Sequence, residues 1–75
     1  MGQMDLPIVP EPGRFYKTRG GLNAYVAEKI DFYGVPHWKG TLIDPTPITV
    51  LWYENGQYSP GVNVFHELDI IEALG

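Results

Sequence analysis

The chain has 75 residues, a net charge of −4 and no cysteine. That length holds one domain, and the absence of cysteine excludes both a disulfide framework and a thiolate zinc site. No apolar run approaches the roughly 18 residues of a membrane span, and the N-terminus carries neither a signal-peptide pattern nor a myristoylation motif. These features lead us to expect a cytoplasmic protein.

A domain this small buries only about 60% of its unfolded surface. Its core must therefore lean on two Trp, five Tyr and three Phe, each of which removes roughly 150–250 Å² from water when covered. The charge is polarised along the chain. Residues 1–39 hold all five Lys and Arg against four carboxylates, and residues 40–75 hold five carboxylates and no basic residue. The acidic total argues against nucleic acid as a partner, because phosphate backbones demand clustered cations. The polarity leaves room for self-pairing or for a basic patch that meets an acidic ligand.

Residues 1–13 contain Pro7, Pro10, Pro12 and Gly13, a density that predicts an extended N-terminal arm. The domain proper spans 14–75. Arg14 to Thr18 reads as a first strand, and Arg19-Gly20-Gly21 supplies the reversal. Asn23 to Ile30 is a second strand, with Ala24, Val26 and Ile30 on one face. Asp31 to Pro36 reads as a loop. His37 to Ile43 is a third strand, and Gly40 within it suggests a bulge or sharp bend.

Asp44-Pro45-Thr46-Pro47 is a turn. Ile48 to Tyr53 is the clearest strand of the chain, with Trp52 alternating in phase with Ile48 and Val50 and so placed in the core. Glu54-Asn55-Gly56 is a hairpin signal, and Gln57-Tyr58 is expected to start the return strand. The tail is expected to turn around Phe65-His66-Glu67 and to end as a closing strand. The expected fold is therefore all-β: a small SH3-like antiparallel barrel, or a strongly bent sheet of about five strands.

The segments Tyr16-Lys17-Thr18-Arg19-Gly20-Gly21-Leu22-Asn23-Ala24-Tyr25-Val26, Trp38-Lys39-Gly40, Trp52-Tyr53-Glu54-Asn55-Gly56-Gln57-Tyr58 and Leu68-Asp69-Ile70-Ile71 resemble small phage- and prophage-encoded accessory proteins. Those open with a Tyr-x-Thr-Arg-x-Gly hairpin and carry a Trp-x-x-x-Gly-x-Tyr hairpin further on. The resemblance covers roughly Gly13 to Ala73. It implies a small phage β-protein that counteracts host defence in the host cytoplasm, with no catalytic residue to carry over.

Chemistry-bearing motifs are few. His66-Glu67-x-Asp69, with His37 elsewhere, lacks metal-ligand spacing, so no metal or other cofactor is expected. No serine or threonine sits in a nucleophile elbow, so we expect no enzyme activity.

The candidate binding residues are Arg14, Lys17 and Arg19 as cations, with Tyr25 and Trp38 as aromatics. Arg19 at the hairpin tip could grip a phosphate or carboxylate bidentately. Trp38, flanked by His37 and Lys39, reads as an exposed aromatic that could anchor a partner. The expected function is non-catalytic binding, which either blocks a host defence protein or sequesters a small anionic nucleotide, in a homo-oligomer. A structural or assembly component of a phage particle is the alternative.

Overall fold

A computed structural model describes residues 6–43, 46–61 and 64–74. The first five residues of the arm and the Asp44-Pro45 part of the expected turn lie outside the described residues. Five strands form one antiparallel sheet: β1 (Arg14–Thr18), β2 (Asn23–Phe32), β3 (Val35–Leu42), β4 (Ile48–Tyr53) and β5 (Ile70–Leu74). Their order across the sheet is β4-β3-β2-β1-β5. The ladder does not close, so of the two expected forms the bent, open sheet is the one observed.

The bend is visible in two bonds that join opposite edges. Laid flat, β4 and β5 would stand about 19 Å apart, four spacings of about 4.8 Å. Yet the indole N–H of Trp52 on β4 donates to the Leu68 carbonyl just before β5, at 2.8 Å. The Ile70 N–H of β5 likewise donates to the Gly56 carbonyl at 3.0 Å, three residues past β4. The sheet must curl for either bond to exist.

The curl encloses the core. Tyr16, Ala24, Val26, Trp38, Leu42, Trp52 and Ile70 are buried together, with Ile8, Leu22, Val50, Tyr58 and Leu68 packed against them. Alternation accounts for the membership: Tyr16 pairs with Ala24, and Val26 with Gly40, which in turn pairs with Val50. Paired residues share a face. Fully burying Trp52 alone is worth about 4–6 kcal/mol as an upper bound, from its area and ~25 cal/mol per Å².

Gly40 explains how β3 packs so closely against its neighbours β2 and β4. A Cβ there would collide with the Tyr25 carbonyl oxygen and touch the Trp52 ring. The expected irregularity near Gly40 falls on the neighbouring strand, as a register shift between Val26 and Glu28 that leaves Ala27 as the extra residue. Such a bulge sharpens local twist.

Two expected segments differ. The loop expected over Asp31–Pro36 is instead a two-residue reversal at Tyr33-Gly34, so that Asp31 pairs with Pro36 and Phe32 with Val35. Both turn residues have positive φ, 53° at Tyr33 and 81° at Gly34, which matches the tight hairpin geometry favoured by strand twist. Pro36 fits within β3 because pairing with β4 begins only at His37, so no donor is required of it on that side.

The return strand expected at Gln57-Tyr58 does not form. The Asn55-Gly56 turn is made, with the Tyr53 N–H donating to the Gln57 carbonyl. Tyr58 then turns away, because its N–H donates to the Asp69 carboxylate at 2.8 Å.

The described part of the arm lies on the fold. The Ile8 N–H donates to the Ile70 carbonyl, Pro10 is buried, and the Glu11 N–H donates to the Tyr16 hydroxyl. Gly56 leaves room for the Ile8 carbonyl where a Cβ would overlap it.

Gly40→Ala should cost at least about 2 kcal/mol, since neither the Tyr25 backbone nor the packed Trp52 ring can retreat without strain. Urea unfolding checks this, and a variant as stable as the wild type would show that the close approach at Gly40 is not needed.

Candidate binding surface

The hairpin tip that reads as the most exposed cation in the sequence is fastened down. Thr18 and Leu22 close the β1–β2 reversal: the Thr18 N–H donates to the Leu22 carbonyl, and the Leu22 N–H donates to the Thr18 hydroxyl at 3.1 Å. Gly21, with φ of 86°, takes the left-handed position of this turn at no steric cost. The tip then docks on the segment before β5. The Arg19 N–H donates to the Asp69 carbonyl, and the Gly20 N–H to the Glu67 carbonyl.

Asp69 is the centre of this contact and is fully buried. Its Oδ1 accepts from the Tyr58 N–H at 2.8 Å. Its Oδ2 accepts from the His66 N–H at 2.9 Å and from the Arg19 guanidinium at 3.1 and 3.3 Å. A buried carboxylate is tolerable only with such partners. The guanidinium, 12% exposed, lies 4.7 Å from the Phe65 ring centroid. Arg19 therefore serves the fold, and its guanidinium is committed to Asp69.

His66 belongs to the same turn. Its Nδ1 accepts from the Leu68 N–H at 3.1 Å, and its ring lies 4.6 Å from that of Tyr58. Among the described residues, no three His, Asp or Glu side chains gather as metal ligands.

The other expected site residues are dispersed. Trp38, expected exposed, is only 6% exposed. Its Nε1–H donates to the Glu54 carbonyl at 3.0 Å, and Lys29 covers its ring while bridging to Glu54 at 2.8 Å. Its polar neighbours His37 and Lys39 misled, because on an alternating strand they mark the opposite face. Arg14 pairs in register with inward-facing Val26 and bridges to Glu11 at 3.1 Å.

Of the expected residues, Lys17 and Tyr25 share the convex face. There Phe15 stands directly across from Tyr25, with ring centroids 4.8 Å apart. Phe15 is 50% exposed, and Lys17 lies opposite Glu72 of β5. The sequence held the signal for this pair: a hairpin closed at Thr18 and Leu22 sets Phe15 against Tyr25.

A second exposed aromatic group sits at the far end of the β2–β3 hairpin. Tyr33 is 91% exposed at a backbone angle unusual for a bulky side chain. Phe32 packs edge-on against Tyr33 and His37. The His37 Nδ1–H donates to the Val35 carbonyl at 2.9 Å.

No helix among the described residues is long and apolar enough to cross a membrane. No family model, curated protein or solved structure matches the chain.

Asp69→Ala should cost about 3–5 kcal/mol, because it strands a largely buried guanidinium and two backbone donors. Lys17→Ala, on the open face, should stay within about 0.5 kcal/mol of the wild type. Denaturant midpoints for the two variants check the contrast, and similar costs would show that Asp69 is not the fastening.

Proposed function

We propose that the protein is a non-catalytic, phage-type binding module that counteracts host defence by covering a host protein. The supporting observation is the tilted Phe15–Tyr25 ring pair on the convex sheet face, with Phe15 exposed and Tyr25 half-buried, and with Lys17 and Glu72 at its side. Exposed aromatics beside a mixed-charge rim are the composition of interface anchors.

Blocking a protein is favoured over sequestering a nucleotide. A phosphate site needs converging cations, and here Arg19 is engaged by Asp69, Arg14 by Glu11 and Lys29 by Glu54. Lys17 is left beside the aromatic pair without a second cation opposite it in register. The resemblance to phage accessory proteins supplies the biological setting of this reading.

Affinity capture from a bacterial lysate should retain a partner that Phe15→Ser and Tyr25→Ser each weaken by on the order of 10- to 100-fold, while both variants keep the wild-type circular dichroism spectrum. Calorimetry against a panel of cyclic nucleotides should give no heat. A partner held equally by the Ser variants, or a nucleotide whose heat disappears in Lys17→Ala, would overturn the assignment.

A further inference from the structure

The sheet has two edges, and the β5 edge is covered at its start and carries the charged Glu72. On β5, the outward N–H and C=O of Ile70 are both taken, by the Gly56 carbonyl and the Ile8 N–H. The other edge is β4, whose sequence Ile48-Thr49-Val50-Leu51-Trp52-Tyr53 has no charge and no proline. Those are the devices that normally blunt an exposed edge.

The hydrogen-bonding parity of β4 follows from its neighbours. The Ile43 N–H donates to the Asn23 carbonyl, so odd-numbered residues at this end of β3 turn their backbone toward β2. Even-numbered Leu42, Gly40 and Trp38 then face β4, where they pair with Ile48, Val50 and Trp52. Thr49, Leu51 and Tyr53 must therefore point their N–H and C=O away from the sheet. Tyr53 agrees, since its outward groups bond to Gln57 and Gly56. No described residue bonds to the outward groups of Thr49 or Leu51, and a groove of about 460 Å³ lined by Thr49–Leu51, Tyr53, Phe32, His37 and Tyr58–Pro60 lies beside them.

We infer that β4 is a self-complementary edge that pairs antiparallel with β4 of a second copy about a twofold axis at Val50. In that register Thr49 of each copy faces Leu51 of the other, and the two pairs consume all four open donors and all four open acceptors in four hydrogen bonds. A shift of two residues either way fails. One direction sets Leu51 against Pro47, which has no N–H, and the other sets Thr49 against Tyr53, whose groups are occupied. The nearest cations, Lys39 of each copy, would stand about 16 Å apart, three strand spacings across and two residues along, beyond the screening length at physiological salt. Ile48, 52% exposed, would lie along the seam between the two copies. The two sheets join into one of ten strands.

Light scattering and amide hydrogen exchange on the full chain, from about 10 μM to about 1 mM, span the range of weak association. The expected result is a rise in mass from one chain to two. Exchange at Thr49 and Leu51 should slow at least about tenfold over the same range, while the already paired Val50 is unchanged.

Leu51→Pro removes one outward donor. Thr49→Lys places two like charges about 7–8 Å apart across the axis, and either change should weaken dimerisation at least tenfold. A one-chain mass at about 1 mM, the weak end of that range, would overturn the inference. So would a dimer whose Thr49 and Leu51 amides exchange as in the monomer, or an undiminished dimer of a folded variant. If Leu51→Pro does not fold, Thr49→Lys decides.

Discussion

A single buried carboxylate sets the terms for this small domain. Asp69 gathers the Arg19 guanidinium and the N–H groups of Tyr58 and His66. It thereby ties together the β1–β2 turn, the segment after β4 and the lead into β5. These three pieces are far apart in sequence, and the polar ends of each would otherwise compete with water. Burying the charge is costly unless it is paired and hydrogen-bonded, as both Asp69 oxygens are. Its worth lies less in net stability than in specifying one way for the chain ends to meet.

The bent sheet follows from the same junction. Once the β5 lead is fixed, Trp52 can reach the Leu68 carbonyl, Ile70 can reach Gly56, and Ile8 can cover the outer side of Ile70. The bend also needs thinness at its centre, which Gly40 provides, and local overtwist, which the bulge at Ala27 supplies. Aromatic bulk then fills the enclosed space. A chain of 75 residues without disulfides closes its core in this way, with two indoles whose N–H groups both find carbonyls.

Much of this architecture was legible. The strands at Arg14–Thr18 and Ile48–Tyr53 follow from β-branched and aromatic runs bounded by Gly, Pro and Asn-Gly signals, and Trp52 follows from period-two alternation. The differences share a cause: local polarity and turn chemistry do not settle what distant partners decide. Tyr33-Gly34 makes a tight turn although Tyr is a poor residue for positive φ, because pairing on both sides dictates it. Gln57-Tyr58 leaves the hairpin because Asp69, eleven residues later, captures the Tyr58 N–H. Arg19 looked free because nothing near it in sequence is acidic; its partner lies 50 residues away. Trp38 looked exposed because its neighbours are polar, although those neighbours occupy the other face. Of the expected site, Lys17 and Tyr25 share the convex surface, and that surface gains its character from Phe15.

The central claim is that the Asp69 junction is part of the cooperative core and not a surface decoration. Native-state hydrogen exchange at the amides of Gly20, Tyr58 and His66 tests it most directly, because each donates to the junction and none lies within a strand ladder. The account predicts that all three exchange only through global unfolding, with the same opening free energy as the core amide of Val26. Exchange of Tyr58 and His66 at the rate of an open loop, with Val26 still protected, would contradict it.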